Sequence, residues 1–255
     1  MERYTLAVVD YLQTQPDVRD VRVSRPECVT EAKLREWERV NAPCVLPGDL
    51  RAFLTRQSNG LHVKWSVALG DAGVVEIGDM CIHGIEDLTA VPLDASPPDD
   101  PWSGSGGHGV PELGKCTDSK SSPSQKAATA AFDLGGAGTN GRVALVFLRD
   151  LKSTRDHASA NASNTSTTTT TSTATATSTN QVWFQDPAGV WHVLAENFSE
   201  YFQMTHANLG LPSWHHRLTP SGLHPYAMKW WHWMAPETLA LDIEKGKLRR
   251  VEDRR

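Results

Sequence analysis

LPGDLRAFLTRQSNGLHVKWSVAL, residues Leu46 to Leu69, changes backbone period midway, and that change decides the fold class. Leu50, Phe53 and Leu54 recur at helical spacing. Pro47 stands ahead of them in the first turn, where a missing N–H costs nothing, so a helix opens there. Asn59-Gly60 reads as its C-terminal stop, with Gly60 in the left-handed conformation that closes a helix. His62, Lys64 and Ser66 then alternate with Val63, Trp65 and Val67 as in a half-buried strand, and Gly73 to Ile77 reads as its antiparallel partner. A helix feeding a hairpin through a tight turn predicts an α+β domain with a mostly antiparallel or mixed sheet.

The flanking segments extend that pattern. Tyr4, Leu6, Val8, Val9 and Leu12 predict a first helix, and Val18 to Val23 a short exposed strand. Thr30 is an expected N-cap for a second helix that runs through Leu34 and Trp37 to Val40. Downstream, Arg142 to Leu148, Gln181 to Phe184 and Val190 to Leu194 read as strands. Phe198, Tyr201, Phe202, Thr205 and Leu209 form one helical face, with Gly210 beyond its end. N-terminal helices, central strands and C-terminal helices are thus expected.

Two stretches break the periodicity. Asp94 to Ala130 is rich in Pro, Gly, Ser and Asp, and Lys152 to Asn180 is dominated by Ser, Thr and Ala. Such compositions bury too little apolar surface to offset chain entropy, so both are expected to be disordered insertions in one domain. Across the 255 residues, 25 Lys and Arg stand against 30 Asp and Glu, a net charge of −5, which argues against nucleic-acid or polybasic membrane binding. Met1 to Leu12 has neither signal-peptide nor anchor character, and no later run approaches a membrane span, so a soluble intracellular protein is expected. Cys28, Cys44, Cys81 and Cys116 include no Cys-x-x-Cys pair and read as buried thiols in a reducing compartment.

The chemical motifs point away from catalysis. Gly136-Ala137-Gly138-Thr139-Asn140-Gly141 satisfies G-x-G-x-x-G, but a dinucleotide loop must open a helix, and this one opens the strand-like run Val143 to Phe147. A hairpin connection after Phe132-Asp133-Leu134 is the better reading. His192, His206, His215, His216, His224 and His232 lack the spacing of zinc ligands and read as structural or surface residues. No nucleophile elbow, phosphate loop or acid–base pair is visible, so no catalytic residue, cofactor or metal is expected. Of nine tryptophans, Trp37, Trp65, Trp183 and Trp191 fall in regular elements and read as core. Trp214, Trp230, Trp231 and Trp233 crowd a proline-punctuated segment, and they, with the basic residues Arg249 and Arg250, are the candidates for contacting a partner. Trp230 and Trp233 share a helical side while Trp231 turns away, which makes Trp231 the expected partner contact.

A family resemblance sharpens this. Trp37-Glu38, Leu46-Pro47-x-Asp49-Leu50-x-x-Phe53 and Asn59-Gly60 resemble the signature of the SUKH superfamily. The continuation through His62 and Trp65 to Val67, together with Leu209-Gly210-Leu211-Pro212-x-Trp214, is similar to the second-subunit family of tubulin polyglutamylase complexes. The resemblance implies a single SUKH-like domain over residues 1–243, interrupted at 94–130 and 152–180, and a short charged tail at 244–255. It also implies a non-catalytic scaffold or targeting subunit that supports a tubulin-tyrosine-ligase-like glutamate ligase, with tubulin a further candidate partner. The cytoplasm and cytoskeleton, at a centrosome, basal body or cilium, are the implied location. A protein-binding module of the same fold with an unrelated partner is the alternative.

Overall fold

The computed structural model describes residues 1–93, 126–136, 140–150, 179–234, 239–242 and 247–250. Its elements follow in the order α1 (Glu2–Thr14), β1 (Val18–Ser24), α2 (Glu31–Val40), α3 (Gly48–Arg56), β2 (Leu61–Ala68), β3 (Val74–Ile82), β4 (Lys126–Asp133), β5 (Arg142–Asp150), β6 (Thr179–Gln185) and β7 (Trp191–Ala195). Then come α4 (Phe198–Ala207), a 3₁₀ turn (Trp214–Leu218), α5 (Pro225–Met234), and the paired strands β8 (Leu239–Asp242) and β9 (Lys247–Arg250). Every pairing among the described strands is antiparallel, in sheets ordered β1-β2-β3, β4-β5-β6-β7 and β8-β9. The α+β architecture expected from the sequence is the one observed.

The first sheet is organised by Trp65. Val63, Trp65 and Val67 alternate inward on the central strand β2, and Trp65 stands opposite Gly78 of β3. A Cβ built on Gly78 would lie inside the indole, so glycine is what lets the ring cross its neighbour strand. The ring's Nε1 then donates to the Leu209 carbonyl at 2.9 Å, which ties the sheet to the turn after α4.

The second sheet is buried on both faces. Val143, Leu145 and Phe147 of β5 face the main core, while Ala144, Val146 and Leu148 pack with Trp183, Trp191, Val91 and Ala131 in a second cluster. A strand covered on both sides reads as a continuous apolar run, as 143–148 does. The two sheets are joined where the chain after β3 runs along β4, through His83 N–H to the Leu134 carbonyl (2.9 Å), Asp133 N–H to Thr89 (2.9 Å) and Val91 N–H to Ala131 (2.8 Å).

The helices bury the faces that their periodicity assigns. Tyr4, Val8, Tyr11 and Leu12 of α1 point inward, whereas Leu6, grouped with them by spacing, is exposed. Thr30 Oγ1 accepts from Lys33 N–H at 3.4 Å, the expected cap of α2. Asn197 Oδ1 accepts from Glu200 N–H (2.9 Å), one of the orphan donors that open α4, while the Glu200 carboxylate reaches back to Glu196 N–H (2.9 Å), just ahead of the cap. Phe53 of α3 meets Phe198 and Phe202 of α4 at ring distances of 5.4 and 5.6 Å.

Four expectations are corrected. Gly60 does not close α3, which ends at Arg56 with Gln57 as C-cap; Gly60 has φ +104°, and a Cβ there would lie 2.9 Å from the Ile82 carbonyl, so its role is close passage beside the end of β3. The insertion expected to reach Ala130 gives way at Lys126 to β4, whose alanines pair with β5; the one expected to reach Asn180 gives way to β6 at Thr179. Residues 94–125 and 151–178 lie outside the described residues. The expected tail contains β9, with Arg249 opposite Ala240 and Arg250 opposite Leu239. Cys44 is buried but Cys28 is exposed, while Cys116 lies outside the described residues.

Candidate interaction surface

The signature residues are held in a structural scaffold. Glu38 accepts from Leu46 N–H at 3.1 Å and takes both carboxylate oxygens to Arg51 at 2.7 Å, locking α2 onto α3. Asp49 accepts from Leu50 N–H (2.9 Å) and, across the chain, from Ser199 N–H (2.7 Å) in the first turn of α4. Asn59 accepts from Ile85 N–H (2.8 Å) and donates to Glu86 (2.7 Å). Trp37 packs edge-on against Phe132 with centroids 4.7 Å apart, and Leu46, Leu50 and Phe53 are buried. Pro47 is the N-cap of α3, and His62 pairs with Asp79 at 2.8 Å. Their spacing therefore reports packing.

A polar cleft of about 340 Å³ opens where β3 meets the β4–β5 hairpin, lined by His62, Asp79, Cys81, His83, Asp133 and Arg142. Asp133 accepts from Gly135 N–H at 2.8 Å and lies 3.8 and 3.7 Å from His83 Nδ1 and Arg142 Nε. Burial, reinforced by Asp79, pushes the Cys81 thiol up to about 11, so it stays protonated at neutral pH and is a poor nucleophile. Among the described residues no three His, Cys, Asp or Glu side chains converge on a metal position. The hairpin glycines do not open a helix: Gly141 precedes β5 directly.

The late histidines divide by environment. His206 is buried, donates from Nδ1 to the Phe202 carbonyl (2.7 Å) and accepts at Nε2 from the Thr5 hydroxyl (2.9 Å), so it is a neutral link between α1 and α4. His215 is buried between Phe184 and Trp214, stacked at 5.1 and 4.0 Å. His192 pairs with Asp186 at 3.0 Å, and His216 donates to the Asn140 carbonyl at 3.2 Å. His224 and His232 are exposed.

The four crowded tryptophans separate as sharply. Trp214 is 1% exposed and stacks on Tyr201 at 6.2 Å, which makes it a core residue with no face for a partner. Pro225 opens α5, the place where proline fits a helix best. Ala227 and Met234 are its buried line, and the Tyr11 hydroxyl donates to the Met234 carbonyl at 2.9 Å. Trp230 and Trp231 flank that line and pack on the main core. The Arg217 guanidinium covers Trp231 at 4.3 Å, so Trp231 is not the free position. Trp233 is 42% exposed, and Tyr226, Trp230 and Trp233 form a ladder with ring separations of 6.0 and 5.6 Å. Tyr226, Met228 and Leu218 are also exposed. Sequence reasoning missed these three, although the α5 wheel puts Tyr226 beside Trp233. Arg249 and Arg250 are placed by backbone pairing in β9.

Comparison with known proteins agrees with the part of the resemblance that concerns polyglutamylase second subunits. Over 249 residues, 93% of this chain and 72% of the relative, the chain is 29% identical to a Rattus norvegicus protein named tubulin polyglutamylase complex subunit 2. A Mus musculus protein of the same name is 29% identical with the same coverage, and a Homo sapiens one is 27% identical over 93% of this chain and 71% of its own. No protein-family model and no solved structure matches.

Proposed function

We propose that the chain is a non-catalytic scaffold or targeting subunit of a tubulin polyglutamylase complex, built as one SUKH-like domain with insertions after β3 and between β5 and β6. The observation that carries this is similarity over 93% of the chain to proteins named as subunit 2 of that complex. The chain assembles with a tubulin-tyrosine-ligase-like enzyme and the other subunits, and in that setting meets tubulin. It works in the cytoplasm on the cytoskeleton, at a centrosome, basal body or cilium. The contact is made by the α5 surface, with Trp233 as the open indole, Trp230 and Trp231 as its support, and Arg249 and Arg250 of β9 as a further basic contribution. Clusters of this kind, with an aromatic anchor at the centre, dominate binding energy in protein interfaces.

The test is reconstitution. Purified chain should incorporate no glutamate into tubulin with ATP and magnesium, while depletion from cells should lower recovery and activity of the ligase assembly, restored by adding the chain back. Glutamate incorporation by the purified chain alone would overturn the non-catalytic assignment. An assembly of unchanged activity and composition after depletion would favour a module of the same fold with an unrelated partner.

A further inference from the structure

We infer that the exposed edge of α5 docks an acidic segment of another protein subunit, one whose large apolar side chains are flanked by aspartate or glutamate. The inference deepens the subunit reading above and rests on it. Tyr226 belongs both to the aromatic ladder and to the wall of a cleft of about 610 Å³, shared with Pro212, His216, Leu223 and His224. Concavity and ladder are therefore one continuous surface, which can take an inserted side chain at one end and cover another along Trp233.

Charge selects the occupant. The chain carries a net −5, yet no Asp or Glu occurs between Glu200 and Glu237, a stretch that holds Arg217, Lys229 and five histidines. Arg217 is held at the surface over Trp231, and Lys229 is exposed with no ion pair among the described residues. Apolar anchors on a stretch of chain that carries Lys229 and Arg217 and no carboxylate of its own are complementary to apolar residues flanked by carboxylates. A second copy of this chain fits poorly, because a twofold contact centred on α5 would set one stretch that has cations and no carboxylate of its own against another. An anionic membrane also fits poorly, since a surface-lying helix carries a polar face rich in Lys and Arg, and α5 has one lysine.

The experiment places the photo-crosslinker p-benzoylphenylalanine at Trp233, on the ladder itself, in the full chain, expressed in cells that contain the polyglutamylase complex. After irradiation and purification through a tag, the cross-linked peptide is identified by mass spectrometry. An adduct with another protein chain is expected, on a peptide of net negative charge. Lys229→Glu should lower its yield by roughly fivefold or more, and Lys229→Arg should restore it, at unchanged melting temperature. A parallel crosslinker at Tyr226 should give the same peptide. A net basic peptide, an adduct with a second copy, no protein adduct at either position, or indifference to Lys229→Glu would each overturn the docking. Recovery of other polyglutamylase subunits without an adduct leaves the subunit reading standing and removes this surface. An acidic adduct from a protein outside any such complex supports the surface and removes the subunit reading.

Discussion

Gly78 and the buried histidines show how single positions set stability. The Trp65 indole occupies the space where a Gly78 side chain would begin, and its Nε1 is committed to the Leu209 carbonyl. Gly78→Ala must therefore displace a buried ring, and an overpacking cost of about 1–3 kcal/mol is expected; an unchanged denaturant midpoint would show that the ring has room to move. His206 and His215 act through protons. Burial pushes His206 down to about 4, with the Phe202 carbonyl opposing, and pushes His215 down to about 3, with His216 adding to the shift. Both folded values lie below the ordinary histidine value of about 6.5, so this stability is fully present above that pH and is lost as pH falls toward 3–4, at about 1.4 kcal/mol per pH unit for each ring. The melting temperature should fall steadily below pH 6.5, and His215→Phe should remove about half of that slope. A profile flat to pH 4 would contradict the buried neutral assignment.

Whole elements differed in how far their residues announced them. α3, β2 and α4 were legible because Leu50, Phe53, Leu54, the Val63–Val67 alternation and Phe198, Tyr201, Phe202 repeat at the period of the element they form. β4 was not: Lys126-Ala-Ala-Thr-Ala-Ala has little β propensity, and pairing with β5 and the chain at 89–91 places it. Gly60 was recognised as special for the wrong reason, since a positive φ is visible as glycine in sequence while the backbone it must pass is not. In α5 the wheel paired Trp230 with Trp233, but only the fold shows Arg217 lying over Trp231. Trp231→Ala should accordingly lower stability by roughly 2 kcal/mol, whereas Trp233→Ala should stay within about 0.5 kcal/mol of the parent and weaken co-purification of the partner subunits. The reverse pattern in paired melting and pull-down measurements would move the interface to Trp231.

At the scale of the molecule, the second sheet explains how so biased a sequence can sit between two neighbouring strands. β5 and β6 are hydrogen-bonded neighbours with Leu148 directly opposite Thr179, so the ends of the Ser/Thr/Ala-rich connection are already side by side. The connection has no distance to span, and a short hairpin would satisfy the same register. Loop closure depends weakly on length, about 0.6 kcal/mol per doubling, so shortening should help slightly. Replacing residues 152–177 by a brief Gly-Ser linker is therefore expected to leave the melting temperature within about 3 °C of the parent. The α4 and α5 surfaces draw on Phe53, Tyr11 and the β2–β3 hairpin, all outside that connection, so recovery of partner subunits should be retained too. A fall of about 10 °C would mean that the connection contributes packing worth more than 1 kcal/mol, and the single-domain reading with two independent insertions would have to give way to one in which this segment is part of the core.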